Sequence, residues 1–338
     1  MKKFLLPMLL AFMSFVVVAQ EVTINFNYPQ VVKQGEYIKL VYPNCYEVAA
    51  PGNPLIPAYQ YNFLEKQDVV SDGVKVKSIE FYDDIVEGRL LPEAKPQPLS
   101  KINAEVDRTE NADVYNSKSA YPAANAMGSS TQFLRGHGIT SVIVYPAVFY
   151  PSENIVKCVK SITFENITSY SKSELPAFSD ENTIRRINDI ANHKDALSSY
   201  QYSATKEDDF DILVVTSEAL LPSFEPYISY KVKQGYNVAV EVVEDIYSNY
   251  DGSDNQEMIR NCVKYYYNRY GIEYVMLVGD ADVATEEHNI IPCRGFAAGD
   301  DPSIPADMYY ANLDGTWNDN NNSLFGEPGE TDFYAEVS

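Results

Sequence analysis

The stretch YVMLVGD (Tyr274–Asp280) decides how this chain is read. Tyr274–Val278 is a continuous apolar run of the kind that forms a strand covered on both faces. The Gly-Asp that follows turns the chain out of a sheet. The acidic tail IPADMYYANLDGTWNDNNNSLFGEPGETDFYAEVS (Ile304–Ser338) comes after it and ends on another strand-like stretch. A buried strand closed by Gly-Asp and a polar loop is where an α/β enzyme begins to build a site. The remainder of that site is expected beyond Ser338.

Upstream of this block the pattern is βαβαβ. Asp211–Thr216 (DILVVT) is a second continuous apolar strand, and Pro222–Gln234 has helical spacing with Gly235 as its C-cap. Tyr236–Val243 is the next strand. Ser253-Asp254-Asn255-Gln256 reads as a capping box. The helix after it places Met258, Ile259, Cys262, Val263, Tyr266 and Tyr270 on one face. Alternating strands and helices with short connections imply a parallel sheet with right-handed crossovers. Ligands of such sheets sit beyond the carboxyl ends of the strands, where Asp280 and Asp282 fall.

Residues 21–172 read instead as all-β. Alternating runs occur at 22–26, 37–41, 74–81, 140–145 and 155–164, punctuated by Pro51-Gly52, Pro54, Pro57 and Pro146, the spacing of a β-sandwich or jelly roll. Residues 92–130 form a long Pro-, Ala-, Asn- and Ser-rich connection. Residues 171–208 are a polar, partly helical linker, and Arg185, Arg186 and Lys206 in it are candidate processing points. At the N-terminus, Lys2-Lys3, the apolar run Phe4–Val18 and the small residues before Gln20 form a secretory signal peptide. That run is too short for a comfortable membrane span.

The 338 residues carry a net charge of −22. This makes nucleic acid a poor partner, because phosphate binding needs a basic face. It suits a cationic partner or divalent cations, and equally a soluble extracellular surface. The 27 tyrosines suit β-structure. Cys45, Cys158, Cys262 and Cys293 show no CxxC or His/Cys cluster, so sulfur-ligated metal is not expected. Cys262 belongs to a helix core face, and a Cys45–Cys158 disulfide is left open.

Together these blocks resemble the gingipain family of secreted cysteine peptidases. YVMLVGD, IPADMYYANLDG, GETDFYAEVS, DILVVTS (Asp211–Ser217) and YKVKQGYNVAVEVVEDI (Tyr230–Ile246) resemble the start of that family's catalytic domain. APGNPLIPAYQYNFL (Ala50–Leu64) and RGHGITSVIVYPAVFYPSENIV (Arg135–Val156) resemble its propeptide. The resemblance implies four segments: a signal peptide (1–19), a β-rich propeptide domain (20–172), a linker (173–208) and the N-terminal part of a caspase-like α/β peptidase domain (209–338). It implies a zymogen in which the propeptide blocks the enzyme, and a Cys nucleophile with a His base at strand ends downstream of YVMLVGD. No histidine except His288 and no cysteine except Cys293 follows Asp280, and neither follows a four-residue apolar strand. No catalytic residue is therefore assigned, and this chain is expected to be inactive alone.

Three local features compete with that conclusion. Gly136-His137-Gly138 imitates a Gly-flanked catalytic histidine, but its strand follows the histidine, as for a turn residue. Cys293 follows Ile290-Ile291-Pro292 with no base nearby in sequence. In the tail, Asp314, Asn318, Asp319, Asn320, Asn322 and Glu327 concentrate oxygen ligands suited to structural Ca²⁺, without EF-hand spacing; an ordinary solvated loop explains them as well. Asp280, Asp282 and Asp307 are a weaker second group. The expected partners are a protein or peptide substrate for the parent enzyme and the propeptide's own intramolecular contact. The expected location is secreted or at the cell surface. The alternatives are a propeptide-like inhibitor or chaperone module and a calcium-dependent surface adhesion protein.

Overall fold

The computed structural model describes residues 20–96, 106–203, 210–281, 289–298, 301–327 and 334–338. The signal-peptide expectation, Lys206, Asp282 and His288 lie outside them. The described residues fall into two compact units, one drawn from 20–60, 71–128 and 142–169, the other from 61–70, 129–141 and 170–338. Residues 61–70 and 129–141 of the β-rich half belong to the second unit.

The strands of the β-rich half are β1 (Gln20–Asn25), β2 (Gln30–Gln34), β3 (Tyr37–Val41), β4 (Tyr46–Val48), β5 (Ile56–Leu64), β6 (Val69–Glu87), β7 (Arg89–Leu90), β8 (Ala126–Leu134), β9 (His137–Val144), β10 (Ala147–Tyr150) and β11 (Ile155–Tyr170). In the first unit β11 pairs antiparallel with β1, from Gln20↔Asn166 to Asn25↔Ser161, and with β10. Its side chains alternate as a half-buried strand requires, with Val156, Cys158, Ile162 and Phe164 wholly buried. A second sheet has the order β2-β3-β7, and β4 pairs antiparallel with the start of β5. Among its described residues the 92–130 connection holds a short helix, α1 (Ala112–Tyr115), whose Tyr115 is buried and donates its hydroxyl to Leu90 O. Cys45 and Cys158 are free thiols. Burial raises both, Cys45 to about 11.

The second unit contains the α/β segment and the pieces that fold with it. The parallel sheet has the order β13 (Val238–Val242), β12 (Ile212–Thr216), β14 (Tyr274–Leu277). Its register pairs Ile212 with both Val238 and Tyr274. Leu213 and Val215 face one core with Ile259, Cys262, Val263 and Tyr267 of α5 (Asn255–Tyr270), while Ile212 and Val214 face another, flanked by Phe224 and Ile228 of α3 (Leu221–Lys233). This two-sided burial is why DILVVT reads as a run rather than an alternation. The edge beyond β14 is taken by the C-terminal residues: Val275 N donates to Ser338 O, and Ser338 N to Glu273 O.

Residues 171–208 are more structured than a linker. Helix α2 (Glu181–Ile190), capped by Asp180, packs Ile187 into a core with Leu64, Leu134, Ile139 and Tyr200. Arg185 and Arg186 thus lie on a docked helix, which a peptidase would have to unwind before cutting. The expected capping box of α5 is shifted by one residue. Asp254 is the N-cap, accepting from Glu257 N, and Glu257 in turn accepts from Ser253 N and Oγ.

Candidate functional site

In the parallel sheet the carboxyl edge is set by the ends of β12, β13 and β14. Thr216 and Ser217 close β12 and are buried there, and Thr216 Oγ1 has no partner. Glu244, in α4 (Val243–Asn249), accepts from Glu218 N at 3.2 Å. After β14, the Gly-Asp pair has a steric reason. A Cβ at Gly279 would lie 2.8 Å from the Ile290 side chain, so only glycine lets the 290–291 segment close over the strand end. Asp280 holds that segment, its carbonyl accepting from Ile291 N and its Oδ1 from Ile290 N. Asp280 is therefore a loop-tethering residue, and Asp307 precedes the four-residue helix α6 (Met308–Ala311), its carbonyl accepting from Tyr310 N without a side-chain cap bond.

Helix α5 precedes β14 by a three-residue turn, so its N-terminus lies toward the same carboxyl edge. A cleft of about 480 Å³ opens there, lined by Gln256, Asn289, Cys293, Ser303 and Ser323 among others. Its one guanidinium is committed: Arg294, at the start of β15 (Arg294–Ala298), donates to both carboxylate oxygens of Asp254 at 2.8 and 2.9 Å. The same group lies between the rings of Tyr309 and Phe325, 4.5 and 4.0 Å from their centroids. The cleft is thus polar without an excess of charge. Cys293 is half-buried in its wall, and its carbonyl accepts from Gln256 Nε2.

No described histidine makes a hydrogen bond or ion pair with a thiol. His137 begins β9, fully buried, its Nδ1 against the Leu134 and Arg135 carbonyls and its ring on Tyr200. Burial pushes its pKa down to about 4, so it is neutral at pH 7. His193 is partly exposed beside Asp195.

The calcium candidates separate into two places. Asn318, Asn320, Asn322 and Glu327 come together: Asn320 and Asn322 donate to Glu327 Oε2 at 2.9 and 2.7 Å, and Asn318 and Asn320 oxygens accept from Asn322 N. Asp319 is held by Thr316 Oγ1. Asp314 is turned inward, with Oδ1 buried and unpartnered. Desolvation raises its pKa to about 6, against the opposing pull of Asn312 and Arg260.

That interior is organised by a residue the helical pattern did not single out. Arg260 is buried on α5 and donates to the carbonyls of Tyr309, Asn312, Asp314 and Gly315. A built-in guanidinium thus satisfies these four carbonyl oxygens. Among the described residues no group of three or more His, Cys, Asp or Glu is placed to hold a metal.

Set beside known proteins, residues 205–337 match the model of peptidase family C25, and the resemblance to gingipain-type cysteine peptidases holds over that segment. No curated protein matches the chain. Among solved structures it is similar to the complex of Porphyromonas gingivalis RgpB pro- and mature domains, at 13% identity and a TM-score of 0.42 over 53% of this chain and 94% of that one. It is also similar to a structure titled for the zymogenic latency of gingipain K from Porphyromonas gingivalis, at 18% identity and a TM-score of 0.37 over 45% of this chain and 86% of that one. Among the described residues no helix is long and apolar enough to cross a membrane.

Proposed function

We propose that the α/β segment matched to peptidase family C25 opens a caspase-like cysteine endopeptidase domain, and that the β-rich half is its inhibitory propeptide on a secreted precursor. The observation that carries this reading is the family match lying over a parallel sheet whose carboxyl edge gathers Thr216, Ser217, Asp280 and a polar cleft. In such an enzyme a thiolate attacks the scissile carbonyl and a histidine moves the proton to the leaving amine. No residue of this chain is assigned as the nucleophile or the base. Cys293 is given no part, because no described histidine bonds to it.

The test compares two proteins. The 338-residue chain is expected to give no turnover of casein or a fluorogenic peptide panel. The product of the reading frame continued past Ser338 is expected to hydrolyse them and to be silenced by iodoacetamide. Hydrolysis by the short chain that C293S abolishes would move the chemistry to Cys293. A stop codon directly after Ser338 would remove the enzyme reading.

Calcium enters the proposal only at residues 318–327, where Glu327 accepts from the Asn320 and Asn322 amides and Asp319 is a second carboxylate, held by Thr316 Oγ1. So few carboxylates give a weak site that extracellular calcium can fill. Calcium at about 10 mM is expected to raise the melting temperature by about 1–3 °C. E327Q is expected to erase that rise and D314N to keep it. An unchanged melting curve for the unaltered chain would remove calcium from the proposal.

A further inference from the structure

The turn joining β8 to β9 is built against the ordinary preferences of its residues. Arg135 and Gly136 both take positive φ, 49° and 75°, as in a type I′ hairpin turn. The first of these positions normally goes to Asn, Asp or Gly, and an arginine there carries backbone strain that the surroundings must hold in place. The surroundings do so. Within the second unit the Arg135 side chain is only 4% exposed and nearly every donor is used. One terminal nitrogen donates to Ile272 O at 2.6 Å and Glu336 O at 3.1 Å. The other donates to Gly271 O at 3.0 Å and reaches the Asp180 carboxylate at 3.4 Å, and Nε donates to Thr183 Oγ1 at 3.0 Å. The rings of Phe178 and Tyr267 lie 5.0 and 5.3 Å from the guanidinium carbon.

The position of these partners matters. Gly271 is the left-handed C-cap of α5, so its carbonyl lies at the negative end of that helix. Gly271 and Ile272 lead directly into β14, and Glu336 leads into the pairing of Ser338 with β14. One planar cation therefore ties together the entrance of β14 and the C-terminal segment that pairs with it, at the amino-terminal edge, opposite the edge where substrate chemistry is expected.

We propose that this amino-terminal edge is a built guanidinium-binding site, with Arg135 as its resident ligand, and that its occupation holds Ser338 in register on β14. The ligand class is an arginine presented on a tight β-turn. Only a planar fork of donors can reach carbonyls on both segments while remaining between two rings; an ammonium of the same charge cannot. The coupling holds whatever reaction the carboxyl edge supports.

The test uses the full chain with R135A and R135K, read by melting temperature and by amide hydrogen exchange at Val275 and Ser338. R135A is expected to melt about 5 °C lower or more and to exchange at both amides about tenfold faster or more. Ethylguanidinium at about 20 mM, the fragment the mutation removes, is expected to restore part of both. Ethylammonium is expected to restore neither, and R135K to behave more like R135A than like the unaltered chain. Wild-type exchange in R135A, or equal rescue by the ammonium, would overturn the proposal. If R135A does not fold, R135K decides: wild-type protection at Val275 and Ser338 would show that charge alone suffices and would overturn it equally.

Discussion

Gly136→Ala is expected to cost about 3–4 kcal/mol of stability, near the top of the range for a single methyl group. Two independent effects add. The residue sits at φ +75°, where an L side chain costs about 1 kcal/mol. A Cβ there would also stand 2.3 Å from Pro176 O and 2.7 Å from Ala177 Cα, both backbone atoms that cannot swing aside. Opening that contact shifts the 175–178 segment, including the Phe178 ring that lies against Arg135, and overpacking of this kind costs about 2–3 kcal/mol. The built-in control is Gly35→Ala. Gly35 has a similar φ of +63° with nothing within 4 Å of its Cβ position, so that change is expected to cost only about 1 kcal/mol. Urea midpoints for the two variants, at unchanged slope, make the comparison. Equal losses would mean that the approach to Pro176 contributes nothing.

The parallel sheet was legible because its strands are buried on both faces, which leaves short continuous apolar runs such as DILVVT and YVMLVGD between helical stretches. The apolar face of α5 was legible from its helical period, except for Tyr267, whose ring is buried together with Arg260. Arg260 itself was not legible. A charged residue within a helix reads as solvent-facing, and the carbonyls that justify its burial come from residues 309–315, about fifty positions away. Helix α2 was legible only as partial helicity: Ile184, Ile187 and Ile190 give it a narrow apolar stripe inside a polar stretch, and the core they pack on comes from residues distant in sequence. The Arg135-Gly136 turn was read through its histidine because glycines on both sides of His137 suggested catalysis. The informative signal was the arginine at a position where turns ordinarily place Asn or Asp. The asparagine-rich loop was legible as a cluster, but spacing could not show that Asp314 faces the interior while Asn318, Asn320, Asn322 and Glu327 face one another.

That inward turn of Asp314 gives a prediction whose sign separates two physical accounts. Burial beside Arg260 raises its pKa from an ordinary 3.8 to about 6, because desolvation outweighs the guanidinium's attraction. The unfolded chain therefore gives up this proton at a lower pH than the folded one. The contribution of Asp314 to stability is fully present below about pH 3.8, falls as pH rises, and is lost above about 6. The gap corresponds to about 3 kcal/mol, an upper figure since Glu336 and Lys264 share the same surroundings. Asp314→Asn is thus expected to match the unaltered chain near pH 4 and to exceed it by as much as about 3 kcal/mol at pH 8, with the difference opening between 3.8 and about 6. The measurement is the urea midpoint of both proteins across pH 4–8, in EDTA and again in millimolar calcium. A carboxylate engaged on calcium would do the reverse. It would be held ionised, its pKa would be depressed, and D314N would lose stability at pH 8 when calcium is added. A gain in both media places Asp314 in the desolvated interior around Arg260. A calcium-dependent loss at pH 8 would mean that the side chain turns outward to join the asparagine loop, and that Arg260 holds its four carbonyls without a neighbouring charge.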